Sequence, residues 1–244
     1  MQELLTGKRR LLGYKSSSSF QTTFVGPVPE DWEVSTVGDE FEVQLGKMLD
    51  AEKNVGTYKP YIGNRDVKWN HIDVTDLSSM AMSESDLTNF RLKQGDLLVC
   101  EGGEVGRAAI WQSPLEECYF QKAIHRLRAR NRFQPRLMVS FLQHWASGGF
   151  LSNYVTQTSI AHLPKDKFVT IPLPKPSVEE LTAIVAIISD IECEITELES
   201  NLSKARRIKQ AMLQELLTGR IRLIPENSCS PRPASGRGAG GEGS

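Results

Sequence analysis

Four cations, Lys122, Arg126, Arg128 and Arg130, fall at even spacing in the stretch CYFQKAIHRLRAR. On a strand, where alternate side chains share a face, they stand together while Ala123, His125 and Leu127 take the opposite face. Such a row could track the phosphates of a nucleic-acid backbone. The competing role is a solvated edge strand that charge protects from further pairing. A second set occupies the loop Glu101-Gly102-Gly103-Glu104-Val105-Gly106-Arg107. Its glycines permit close backbone approach, with Arg107 donating to guanine O6 and N7 and Glu101 or Glu104 accepting from cytosine N4. The same residues would also serve as a plain hairpin turn with solvated charges. Asn64, Arg65 and Lys68 form a polar turn before Trp69. Asn64 or Arg65 suits purine edges, whereas Trp69 reads as core packing, given the area a Trp buries. His162 and Lys165 either touch phosphate or cap a local turn.

Signals for catalysis are missing from the sequence. The four histidines (His71, His125, His144, His162) show no HExxH or other paired ligand spacing, so no metal is expected. Asp96 and Glu101 flank a strand, as nuclease carboxylates can, but no lysine follows at the short spacing such sites use. There is no GxSxG, no kinase set, no GK[ST] of a P-loop and no Asn/Asp-Pro-Pro-aromatic string. Four scattered cysteines (Cys100, Cys118, Cys193, Cys229) without a CxxC pair suit reduced thiols in the cytoplasm. The apolar patch Ala183–Ile188 is too short to span a bilayer, and no apolar signal core stands at the N-terminus. The expectation is a cytoplasmic protein without a membrane partner. A net charge of −1 over 244 residues says little about partners, because clustered charges cancel in the sum.

The elements that must position these groups follow from pattern. Residues 1–12 read as the stub of a preceding helix ending at Gly7, and residues 13–28, with the run Ser16–Ser19, Pro27 inside and Pro29 directly after, as a flexible linker. A strand-rich domain spans 29–176. Within it, Lys59–Trp69 holds two short strands around Gly63-Asn64, and Asp96–Trp111 is a hairpin whose turn is Gly102, Gly103 and Gly106. Tyr119–Arg130 reads as one further strand and Arg136–Gly148 as an amphipathic helix. Residues 177–219 form a long helix, with Ser177 as N-cap and Glu180 completing a capping box. Residues 225–244, Pro, Gly, Ser and Arg with almost nothing apolar, are expected to be disordered.

The long helix carries apolar residues at Ile184, Ile188, Ile191, Ile195, Leu198, Leu202, Ala205, Met212 and Leu216, a stripe near heptad spacing interrupted by Lys209. The stripe calls for a partner helix. Acidic residues (Glu179, Glu180, Asp190, Glu192, Glu194, Glu197, Glu199) fill its first half; Lys204, Arg206, Arg207, Lys209 and Arg220 fill its second. Two copies in parallel would oppose like charges, so antiparallel pairing is favoured. The end of the helix also repeats the start of the chain: Met1–Leu11, MQELLTGKRRL, against Leu213–Leu223, LQELLTGRIRL.

PEDWE at the head of the strand-rich domain, IPLPKPSVEE before the long helix and QELLTG at its end together resemble the specificity (S) subunit of Type I restriction–modification enzymes. GDLLVCEGGEVGRAAIW, CYFQKAIHRLR and HLPKDKFVTIPLPKP are similar to one type of target-recognition domain in that family. The resemblance covers about residues 29–223. It implies an α+β fold: a mixed strand-rich target-recognition domain followed by a long spacer helix that pairs antiparallel as a coiled coil. It further implies a non-catalytic subunit that binds double-stranded DNA. Methyltransferase (M) subunits would dock on it and restriction (R) subunits join for cleavage. S-adenosylmethionine, ATP and Mg are implied for those partners and no cofactor for this chain. Family members usually carry two recognition domains and two spacers, whereas this sequence has one of each. It therefore resembles a half-subunit that pairs with itself, or with another S half-subunit, through the helix to read an interrupted palindrome. The competing readings are a coiled-coil adaptor that binds protein, an enzyme in its own right, and an inactive remnant of a split S-subunit gene.

Overall fold

The computed structural model describes residues 2–14, 19–50, 54–157 and 161–221; the tail expected to be disordered and Cys229 lie outside the described residues. The chain divides into two compact units, residues 1–191 and 192–244.

At the centre of the first unit, four antiparallel strands are ordered Ala108–Ile110, Leu97–Cys100, Ile124–Ala129, Phe41–Leu45. Leu97–Cys100 is apolar throughout and all four residues are buried, because this strand has neighbours on both edges and side chains packed on both faces. Leu97, Val99 and Leu127 look into the larger hydrophobic core, with Phe41, Phe141, Trp145 and Ile184. Leu98, Cys100 and Ile124 look into a second cluster with Ile62, Trp111 and Phe120. Alternation along a strand thus feeds two layers rather than one layer and solvent. A three-stranded sheet, Tyr119–Phe120, Thr57–Ile62, Ser78–Met82, lies beside the second cluster.

The two sequence ends of the strand-rich domain close on each other. Pro172–Lys175 pairs antiparallel with Glu33–Thr36, Lys175 opposite Glu33. The helix Pro135–Ser147 covers the larger core with Leu137, Phe141, Leu142 and Trp145. Beyond Ser177 the chain enters a helix of 40 residues, Val178–Leu217.

Three expectations need correction. Residues 13–28 do not form a plain linker: Phe20–Thr23 and Gly26–Pro29 pair as a hairpin, with Gly26 at φ 101° and Val28 buried. Two strands without further neighbours tolerate the prolines, since a missing N–H there breaks no inner ladder. Residues 119–130 are not one strand. The chain leaves the three-stranded sheet after Phe120, turns at Ala123 (φ 93°) and enters the central sheet at Ile124. The capping box at the long helix is half made. Ser177 Oγ accepts from Glu180 N at 3.3 Å, but the Glu180 carboxylate turns to Trp32 Nε1 (3.0 Å) and to Arg10.

The apolar stripe of the long helix also divides. Ile184 and Ile188 are buried in the larger core of their own domain, not held for a partner helix. In the second unit, Ile195 is 48% exposed, Leu198 60%, Leu202 51% and Met212 59%, while Ala205 is exposed and Leu216 half-buried. Ile191, the last residue of the first unit, is 40% exposed.

Candidate nucleic-acid interface

The hairpin of Leu97–Cys100 and Ala108–Ile110 projects the loop 101–107, and three other segments meet it. Gly103 (φ 72°) and Gly106 (φ 84°) make the turn; a Cβ on Gly106 would lie 2.4 Å from Leu151 Cδ1, so glycine is required there on two counts. The loop's first strand end is held by Glu101 N–H donating to Ala123 O (2.9 Å) and Leu163 N–H donating to Glu101 O (2.7 Å). Gly102 bridges to His162. Asn64 Nδ2 donates to Gly102 O at 3.1 Å, tying in the turn that follows Thr57–Ile62.

Arg107 looks inward. Its Nη2 donates to Asn64 O at 2.7 Å, its Nη1 to Glu104 Oε2 at 3.2 Å, and the side chain is 16% exposed. Glu104 also accepts from Trp69 Nε1 at 2.5 Å. Arg107 is therefore placed as a brace across two loops, and a guanidinium so engaged does not face a base edge; this corrects the expectation of a guanine fork. Glu104 keeps a half-exposed carboxylate. Cys100, beneath the brace, has its thiol pushed up to about 11 by burial, against the opposing pull of Arg107. It is a neutral thiol at physiological pH, unsuited to nucleophilic work.

Trp69 is half-buried, its ring against the larger core and its N–H on Glu104. With Glu104, Gln143, Ser147, Ser152 and Ala161 it lines an open cleft of about 750 Å³. Nothing in the sequence pattern announces the cleft's polar rim from the helix Pro135–Ser147 and the turn after it. The apolar side of that helix declares itself by spacing, whereas Gln143, Ser147 and Ser152 carry no charge that would mark the other side.

The expected basic row does not form a single outward ridge. Arg126 is 2% exposed: its guanidinium lies 5.6 Å over the Phe120 ring and donates to Asn89 O (3.3 Å) and Glu42 Oε1 (3.2 Å). Arg128 forms a two-pronged pair with buried Asp96, at 2.6 and 2.9 Å. Lys122 is exposed but sits in the turn before the strand, out of the alternation, and Arg130 is exposed just past its end. Both inner arginines thus lie over the second core, on the face that sequence spacing assigned to solvent. Charge alone does not reveal the carboxylates that reach them from residues 42 and 96.

The exposed cations sit elsewhere. Lys68 is exposed next to Trp69. Arg65, 65% exposed, contacts Asp66 and Asp76. Lys165 is exposed in the first turn of the helix Lys165–Val169. Directly before it, Leu163 O accepts from His125 Nε2 at 2.8 Å, and burial drives the His125 pKa down to about 4. Since a carbonyl only accepts, the neutral ring carries its proton on Nε2. No group of three or more His, Cys, Asp and Glu fit to hold a metal ion occurs among the described residues. Nor is any helix among them long and apolar enough to cross a membrane.

The described residues thus comprise a strand-rich domain with convergent polar loops and a long helix bearing an exposed apolar stripe. A family model described as "Type I restriction modification DNA specificity domain" matches residues 29–205, and the chain belongs to that family. A Methanocaldococcus jannaschii protein described as a putative type I restriction enzyme specificity subunit, MjaX, is 24% identical over 222 residues, covering 85% of this chain and 50% of that protein. The type I restriction enzyme MjaVIII specificity subunit of the same organism is 26% identical over 199 residues, covering 78% of this chain and 43% of its own length. The chain spans about half the length of these curated relatives. In fold it is similar to the HsdS subunit from Thermoanaerobacter tengcongensis (TM-score 0.54, 17% identity, 88% of this chain and 48% of that one). It is also similar to a chain from a study of complex assembly and conformational transition of the type I R-M system (TM-score 0.56, 16% identity, 77% and 46% covered). The expected α+β architecture, strand-rich domain then long helix, is the one observed.

Proposed function

We propose that this chain is the non-catalytic DNA-recognition subunit of a Type I restriction–modification complex, in the cytoplasm, acting as a pair of identical copies. The observation that carries the reading is the convergence of three polar segments, 63–69, 101–107 and 161–165, in a chain whose family is defined by DNA specificity. On this reading Lys68, Lys122, Arg130, Lys165 and His162 are the groups for phosphates. Arg65, Glu101 and Glu104 are the candidates for base edges, because phosphate contacts position a protein while base edges specify sequence, whereas Asn64, its amide tied to Gly102 O, braces the loop. Arg107, Arg126 and Arg128 shape the surface from behind.

The second copy is invoked by the helix. Between residues 191 and 212 its stripe exposes Ile191, Ile195, Leu198, Leu202 and Met212, and a lone helix cannot bury such a stripe on itself. Acid in the first half and base in the second favour antiparallel pairing. Two recognition domains related by a two-fold axis would read an interrupted palindrome, since protein symmetry is mirrored in the site. M subunits would dock on the pair and R subunits join them; S-adenosylmethionine, ATP and Mg would belong to those partners.

Binding of a duplex library to the purified chain, titrated with salt, tests the reading. A steep fall in affinity with rising salt is expected, with a log–log slope of about −0.9 per phosphate neutralised. Salt-insensitive or absent binding would favour the protein-binding adaptor instead.

A further inference from the structure

The cleft beside Trp69 takes a wall from each of the three segments that converge on the hairpin loop. Trp69 comes from 63–69, Glu104 and Val105 from 101–107, and Ala161 from 161–165, while Gln143 and Leu151 line the remaining side. Its volume of about 750 Å³ lies within the range of clefts that take small organic molecules, about 300–1,000 Å³. Leu151 is buried, and Val105 and Trp69 are half-buried against the larger core, so the walls are apolar and firmly backed.

The polar groups of the cleft are unequally engaged. Ser147 Oγ and Ser152 Oγ spend their protons on His144 O (3.0 Å) and Gly149 O (2.6 Å). The Glu104 carboxylate is fixed by Trp69 Nε1 and Arg107 Nη1. A carboxylate has about four acceptor sites, so two donors leave it able to accept more. Gln143, half-buried on the helix Pro135–Ser147, has no hydrogen-bond partner among the described residues. No Lys or Arg lines the cleft, so a phosphate would meet Glu104 without a cation to offset it. The set suits a flat, uncharged ligand that presents N–H donors.

We infer that the cleft takes one nucleobase turned out of the duplex, a base that carries an exocyclic amino group, with Trp69 as its aromatic wall and Gln143 and Glu104 at its edge. The inference rests on the DNA-recognition reading above and deepens it. A loop can enter a groove, but a paired base lies recessed between two backbones and reaches a concave site only by leaving the stack. Pairing spends one amino hydrogen on the opposite base. Turned out, the base offers both, one to the Glu104 carboxylate and one to the Gln143 carbonyl. An aromatic wall also replaces the stacking given up, as it does for unpaired strands.

The test uses the intact chain alone and the duplex it selects from the library, with each base in turn placed opposite an abasic site. A base without a partner costs less to turn out, so at one position affinity should rise about tenfold. The base there should be adenine, cytosine or guanine, and thymine in its place should abolish the gain. Gln143→Ala should remove most of the gain, and so, independently, should Ser147→Phe, which fills the cleft. Circular dichroism should show both variants folded, with the salt slope of binding unchanged. A gain at no position, a gain at thymine, or a gain that survives both variants would overturn the cleft site and leave duplex recognition standing. Absence of any salt-dependent duplex binding would overturn the recognition reading and the cleft site with it.

Discussion

Arg10 and Glu180 lie 170 residues apart in sequence and meet as a two-pronged ion pair, Nε to Oε1 at 2.5 Å and Nη2 to Oε2 at 2.7 Å, with side chains 5% and 1% exposed. Asp31 holds the outer side of the same guanidinium, and Trp32 Nε1 donates to the same carboxylate. Burial lowers the Arg10 pKa, but the bonds to Glu180 and Asp31 outweigh it and the net direction is up. This knot fastens the N-terminal segment to the first turn of the long helix.

Arg10→Met should therefore destabilise the domain by about 3–5 kcal/mol, because it strands a buried carboxylate without its cation. Glu180→Gln should cost less: the amide oxygen still accepts from Trp32, and Arg10 keeps Asp31. Urea midpoints of the two variants give the order. A milder effect for Arg10→Met than for Glu180→Gln would contradict the arrangement.

The arginines facing inward and the cations facing outward should separate cleanly. Arg128→Ala leaves Asp96, whose side chain is 3% exposed, without its partner and should cost about 3 kcal/mol of stability with the salt slope of DNA binding unchanged. Lys68→Ala and Lys165→Ala should leave stability within about 0.5 kcal/mol, and each should make the salt slope shallower by about 0.9, the share of a single phosphate. Denaturation and binding isotherms on the same three variants decide the matter.

Protonation of His125 should weaken the fold. Its folded pKa is lowered to about 4 by burial, below the ordinary value near 6.5. The unfolded chain then binds the proton first, so stability is fully present above about pH 6.5 and falls as pH drops toward 4, by roughly 3 kcal/mol in all. Urea midpoints between pH 7 and 4.5 should fall more steeply for the native chain than for His125→Gln. Parallel slopes would contradict the assignment.

What the sequence made legible was whatever depends on local pattern. Asp96–Trp111 reads as a hairpin, observed as Leu97–Cys100 paired with Ala108–Ile110, the glycines of 102–106 as its turn, and Pro176-Ser177 as the start of a helix observed from Val178. Long-range partners were not legible. Arg107, Arg126 and Arg128 look like surface cations until Asn64 O, Glu42 and Asp96 arrive from distant segments. The break at Ala123 has no glycine to mark its positive φ. The serine-rich composition near residue 16 masked the pairing of Phe20–Thr23 with Gly26–Pro29.

Self-association should depend on helix polarity. Replacing Glu192, Glu194, Glu197 and Glu199 with lysine turns the antiparallel seam into base against base. Sedimentation at moderate salt should show the dimer lost, while circular dichroism shows the recognition domain still folded. A dimer that survives the change would exclude the antiparallel seam.

The central claim, one DNA-reading domain used twice about a two-fold axis, is tested most directly by mapping modified bases. The genome of a host expressing this chain with a cognate methyltransferase should carry methylation at an interrupted palindrome, dependent on the chain. An asymmetric bipartite motif would contradict the paired identical domains, and the absence of any chain-dependent motif would contradict the recognition role itself.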